Sequence, residues 1–227
     1  MEHSSAIKSD QPCASIDDVD RHFGRLKYMN LERARFLREF IRSHDLEDLL
    51  ELGFFHGKST AFMAAILEER GRGHVTTMDL ESARNRKPSI EDVISTLRLG
   101  HRVTPVYAHR SFTWELRRLL ARSPRPSFDF CYIDGAHTWD GTGFAFLLVD
   151  LLLKPGGWVI FDDLDWSIAK SPAARKNMQR YAGYSDEEKN ARQVREVWEI
   201  LVPARGYENR HEERRFGWGI AQKAVGA

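Results

Sequence analysis

The sequence predicts an α/β fold in which a mostly parallel sheet is covered by helices on both faces. Three observations carry that prediction. Short apolar runs alternate with stretches of helical period, glycines stand where the runs end, and polar or acidic clusters follow the runs.

Taken in order, residues 1 to about 22 are rich in Ser, Asp, Gln and Pro without a sustained apolar period. They read as a loose arm before a single domain over 23–227. Leu31, Ala34, Phe36, Leu37, Phe40 and Ile41 recur at helical spacing through His44. Leu49 to Leu52 is a strand ended by Gly53, and Ser59 to Glu69 a helix that stops at Gly71. Further strands are expected at His74 to Met78, Val103 to Tyr107, Phe128 to Ile133 and Trp158 to Phe161. Helices are expected near Ile90 to Leu99, Phe112 to Arg122 and Phe144 to Leu153. Pro105 cannot donate to a ladder, which sends the third strand to an edge. Lys154-Pro155-Gly156-Gly157 reads as a turn between helix and strand. A polar, aromatic-studded stretch over 164–184 precedes a helix from about Asp186 to Leu201 and two closing strands near Gly206 to Arg210 and Phe216 to Gln222.

Composition narrows the function. The 227 residues are 42% hydrophobic, enough for a full core without disulfide or metal staples. The 34 basic residues nearly balance 33 acidic ones, which argues against nucleic-acid or membrane-surface partners. No run approaches the roughly 18 apolar residues of a membrane span, and the start lacks the apolar stretch of a secretion signal, so a cytoplasmic location is expected. Cys13 in the polar start and Cys131 in an apolar run are not expected to pair.

In open parallel sheets ligands sit beyond the carboxyl ends of the strands, so the residues there matter most. After the first strand comes Glu51-Leu52-Gly53-Phe54-Phe55-His56-Gly57-Lys58-Ser59-Thr60. A phosphate-gripping P-loop needs four residues before Gly-Lys-Ser, and here there are three, two of them phenylalanines. A dinucleotide fold needs glycine where Phe55 stands. What remains is a turn that lets an uncharged or cationic nucleoside lie close to the chain, with Glu51 available to a positive group. Asp79, ending the second strand, is placed to accept from ribose hydroxyls.

These residues, with Lys154-Pro155-Gly156-Gly157 before the fifth strand, resemble the class I S-adenosylmethionine-dependent methyltransferases over roughly 45–222. The resemblance implies a Rossmann-like sheet of seven strands, mostly parallel with the last antiparallel. It implies S-adenosyl-L-methionine as cofactor, held by Glu51, Gly53, Phe54, Gly57, Ser59, Asp79, Ser111 and Asp134. Ser111 is equally suited to cap the helix that begins at Phe112.

Two acidic clusters suggest the chemistry. Asp134-Gly135-Ala136-His137 follows the fourth strand and Asp162-Asp163 the fifth. Neighbouring strands lie about 4.8 Å apart, so these carboxylates are expected to converge and hold Mg²⁺ or another divalent cation. An ion there would lower the pKa of an acceptor hydroxyl and orient it. The arrangement resembles the metal-dependent small-molecule O-methyltransferases of catechol and sugar type, with Asp134, Asp162 and Asp163 as ligands. In the catechol type a lysine base stands three residues after the first Asp, where this chain has His137. In the sugar type an Asp often stands two residues after it, where Ala136 cannot act. His137, with an ordinary pKa near 6.5, is the expected base, the alternative being a histidine that only caps the following helix or bonds a neighbour.

The expected substrate is a hydroxylated small molecule, covered by the 164–184 segment as a lid, and a homodimer is compatible with the chain. Alternatives are a metal-free methyltransferase with His137 as base, a nucleoside-binding module without turnover, and acids that only bind loop amides. Base-methylating enzymes often carry an Asn/Asp-Pro-Pro-aromatic motif, and Asp134-Gly135-Ala136-His137 does not match it.

Overall fold

The computed structural model describes residues 14–226. Five parallel strands, β1 (Asp48–Leu52), β2 (His74–Leu80), β3 (Val103–Ala108), β4 (Phe128–Ile133) and β5 (Leu153–Phe161), join β6 (Glu208–Glu213) and β7 (Trp218–Gln222) in one sheet. The order is β3-β2-β1-β4-β5-β7-β6, with β7 antiparallel to both β5 and β6. Seven strands, a Rossmann-like parallel core and an antiparallel last strand agree with the expectation, and β3 with Pro105 lies at the edge. The chain begins in the middle, winds outward to β3, then crosses back to β4. The strand order therefore reverses between β1 and β4, where such sheets open a crevice.

Helices α1 (Ile16–Phe23), α2 (Leu31–Ser43), α3 (Lys58–Glu69) and α4 (Ile90–Thr96) cover one face. On the other lie α5 (Phe112–Leu120), α6 (Trp139–Asp150) and a broken helix over 193–204, composed of α9 (Gln193–Glu196), a π turn Val197–Leu201 and α10 (Val202–Ala204). Two short helices, α7 (Pro172–Arg175) and α8 (Asp186–Asn190), precede it.

Four expectations are corrected. Residues 16–22 are not a loose arm but α1, opened by a capping box between Ser15 and Asp18, with Ile16 and Val19 fully buried. Burying each of those side chains stabilises by about 1.5–3 kcal/mol, which outweighs the polar residues between them. The earlier part of the expected arm, with Cys13, lies outside the described residues. Helix α6 starts at Trp139, not Phe144, because Thr138 caps it, and Gly143 leaves room for Val197 and Leu201 to pack close. The expected 186–201 helix breaks at Ala191. Gln193, buried there, donates to the Glu188 carbonyl (2.7 Å) and accepts from the Trp139 amide (2.6 Å). Lys154-Pro155-Gly156-Gly157 is an irregularity inside β5 and not a turn before it.

If α1 is integral to the fold, Ser15→Ala should lower unfolding free energy by about 1 kcal/mol in urea titration. A loose arm would show no change.

Candidate cofactor and metal site

At the crevice Gly53 leaves β1 with φ +98°, its amide donating to the Met78 carbonyl (2.7 Å). A Cβ there would lie 2.1 Å from the Asp134 carbonyl oxygen, and one on Gly57 (φ +85°) 2.5 Å from Ile90. Both positions therefore require glycine. Beneath the turn Glu51 is fully buried, and its carboxylate accepts from Ser59 (2.5 Å), Thr60 (2.5 Å) and Thr77 (2.6 Å). Burial pushes its pKa up to about 7 against those three hydroxyls. Glu51 thus braces the start of α3 from below instead of facing an open site, and Ser59 is spent on the same brace.

An open cleft lies above the turn, bordered by Gly53, Phe54, Ser59, Tyr132 and Asp134 on the sheet side. Its other wall is Lys27, Tyr28 and Met29, from the strap joining α1 to α2, which the sequence reading did not assign. Buried Lys58 donates to the carbonyls of Gly24 (3.0 Å) and Leu26 (2.8 Å). The lysine of the near-miss phosphate motif is therefore consumed in holding the strap. The signal for this wall was available in Ser15-Ile16-Asp17-Asp18, a capping-box pattern ahead of apolar Val19 and Phe23.

Asp79 accepts from the amides of Phe55 (2.8 Å) and Leu80 (2.6 Å), and Arg86 reaches it at 3.4 Å while stacking on the Phe55 ring. Phe54 is buried, edge-on to Tyr107. Ser111 is the cap of α5, accepting from the Thr113 amide (3.2 Å). Glu51, Gly57, Asp79 and Ser111 do not line the cleft itself.

The strand ends are stapled together, the Asp134 amide donating to Leu52 (2.9 Å) and the Asp162 amide to Ile133 (3.0 Å). Asp134, His137 and Asp163 offer ligand atoms within 4.8 Å of one another. Asp162 does not join them. Asp163 sits in the left-handed region (φ +60°), whereas the Asp162 carboxylate turns to Arg33 (3.2 Å), the Tyr132 hydroxyl and the Asp163 amide (2.7 Å). Of the expected Asp134, Asp162 and Asp163 set, the structure brings Asp134 and Asp163 together with His137 and engages Asp162 with other partners. Arg33 also donates to the Phe216 carbonyl (2.9 Å), so α2, β5 and the β7 edge meet at Asp162.

His137 Nε2 stands 3.1 Å from Asp163 and 3.6 Å from Asp134. It is buried without an aligned hydrogen-bond partner among the described residues. Burial works against the imidazolium, but the two carboxylates outweigh it and raise its pKa to about 10. In this state the ring already holds its proton at neutral pH, which is at odds with a free base of ordinary pKa. Burial raises Asp134 in turn; it also works upward on Asp163, but there the hydrogen bond and charge of His137, with the Arg33 charge, outweigh it and leave the pKa below the usual range.

The fold and this strand-end crevice define the class I methyltransferases. The sequence model of a methyltransferase-domain family matches residues 50–164, a little over half of the chain, and the protein belongs to that family. No curated protein matches it. Among solved structures, a Staphylococcus aureus protein assigned as a caffeoyl-CoA O-methyltransferase superposes with TM-score 0.66 at 19% identity over 92% of each chain. An O-methyltransferase from Bacillus cereus in complex with S-adenosylhomocysteine gives 0.65 at 16% identity, over 95% of this chain and 93% of that one. The MycE methyltransferase of the mycinamycin pathway, solved with Mg and S-adenosylhomocysteine, gives 0.60 at 13%, over 94% of this chain and 56% of that one. Among the described residues no helix is long and apolar enough to cross a membrane.

The Glu51 brace sets a pH dependence. A carboxyl with a raised folded pKa holds its proton more tightly in the folded state. Its stabilising contribution is complete below the ordinary value of 4.5 and is lost as pH rises through about 7. Urea titrations between about pH 5 and about pH 8 should show a decline on the order of 3 kcal/mol that is missing in Glu51→Gln. Parallel profiles for the two proteins would mean that the carboxyl titrates normally.

Proposed function

We propose that the protein transfers a methyl group from S-adenosyl-L-methionine to a hydroxyl of a small molecule, assisted by a divalent cation. The observation that carries this reading is the buried Nε2 of His137 held between the Asp134 and Asp163 carboxylates, beside a glycine turn that admits a nucleoside. Gly53 lets the backbone approach the cofactor, Asp134 borders the same cleft, and Asp79, at the end of β2 beside the turn, would accept from the ribose once its present partners give way. Glu51 and Ser111 support these residues from beneath and from the side.

Asp134 and Asp163 would hold the ion, and their donor set with a nearby imidazole suits Mn²⁺ at least as well as Mg²⁺. When bound, such an ion makes the acceptor hydroxyl more acidic and fixes its oxygen for in-line attack on the sulfonium methyl. His137 now serves as the counter-charge of the two acids; relieved of that duty, its neutral ring is placed to take the hydroxyl proton. The place of Nε2 among the ligand atoms of Asp134 and Asp163 also favours a second reading, in which His137 is itself a ligand. The 164–184 segment is read as the acceptor lid. Trp166 lies against the His137 ring (5.1 Å between centroids), and Lys170, Lys176 and Arg180 are exposed where an aromatic or anionic acceptor would enter.

Excess chelator should abolish methyl transfer while S-adenosylhomocysteine still binds calorimetrically; full activity in chelator would remove the ion from the reaction. Asp163→Ala should lose Mn²⁺ affinity by at least about tenfold. His137→Ala separates the two readings, since a base lowers kcat with Mn²⁺ affinity intact, whereas a ligand loses both.

A further inference from the structure

Nine large hydrophobic side chains are exposed among the described residues, and six of them lie on one helical layer: Trp114, Trp139, Phe144, Leu147, Leu151 and Ile200. The layer is α5, α6 and the 193–204 helix, with α6 packed between the other two. Phe144, Leu147 and Leu151 follow one another at i, i+3 and i+7, a single stripe along α6. The opposite side of the same helix, with Ala145, Phe146 and Val149, is fully buried against the sheet. Helix α6 is thus apolar on both its inner and its outer side, the pattern of a helix covered all round. On the other face α2 behaves differently, exposing Glu32, Arg35 and Glu39.

We infer that this layer is the interface of a homodimer, the occupant being a second copy of the same layer. Charge selects that partner and its orientation. On one flank of the stripe α5 exposes Arg117 and Arg118, and Arg117 lies over the exposed Trp114 ring. On the other flank the 193–204 helix exposes Glu196 and Glu199. A closed twofold interface places one patch against itself. With the axis running along α6, α5 of each copy faces the 193–204 helix of the other, so Arg117 and Arg118 meet Glu196 and Glu199 twice. With the axis across the helices, like charges would face each other, which the flanks disfavour. The stripe supplies the apolar centre and the charges the rim, as specific interfaces require. The layer lies on the face away from the strap, so pairing leaves the Lys27 to Met29 wall of the cleft uncovered.

Sedimentation velocity of the full chain tests this. The wild type should sediment at twice the chain mass at micromolar concentration. Leu147→Glu should sediment at the chain mass, while its S-adenosylhomocysteine affinity by calorimetry stays within about twofold of wild type. Arg117→Glu should shift the population toward monomer, and adding Glu199→Arg to it should restore the dimer by exchanging the two signs. A monomeric wild type would overturn the proposal and leave the face to a different protein. A Leu147→Glu variant that remains dimeric, or a charge exchange that fails to restore pairing, would overturn it as well.

Discussion

The passage of Gly53 past the Asp134 carbonyl, where a Cβ would come within 2.1 Å, is the constraint from which the rest of the crevice follows. It occurs where β1 and β4 lie side by side at the reversal of strand order, and it brings the glycine turn directly against the first acidic residue. The positive φ at Gly53 turns the chain out of the sheet, and the second one at Gly57 returns it into α3. Between them the chain leaves a cleft and not a phosphate cradle, because Phe54 is drawn into the core and Lys58 is drawn down to the strap. Glu51 holds the far end of this bend by taking three hydroxyls in the interior.

The acidic end of the crevice is a problem of charge in low dielectric, and the protein handles its two clusters differently. Asp162 is surrounded by Arg33, the Tyr132 hydroxyl and a backbone amide, so its charge is met within the fold. Asp134 and Asp163 are met by one imidazolium. Asp163 adopts φ +60°, turned away from its neighbour's direction. This difference in partners is what separates two adjacent aspartates that look equivalent in sequence.

The segment ahead of the first strand contributes more than its composition suggests. Helix α1 packs on α3, the strap that follows supplies one wall of the cleft, and α2 carries Arg33 to the acidic end. All three precede the 50–164 stretch that the methyltransferase family shares. The shared stretch supplies the turn and the acids, whereas the preceding segment encloses them.

Much of this was legible in residue order. The alternation of apolar run, glycine and amphipathic stretch determined the sheet, its helical covering and the edge position of β3, because those depend on local period and on the missing amide of Pro105. The motif Glu51 to Thr60 determined that the turn does not suit polyphosphate, since spacing alone decides that. Side-chain direction was decided only in three dimensions. Glu51 faces inward, Asp162 away from Asp163, and Lys58 toward the strap, each because its partners lie far off in sequence: Thr77, Arg33 and the Gly24 carbonyl. Local period reports which face of an element is buried; it carries no information about which distant group waits there to satisfy a buried charge.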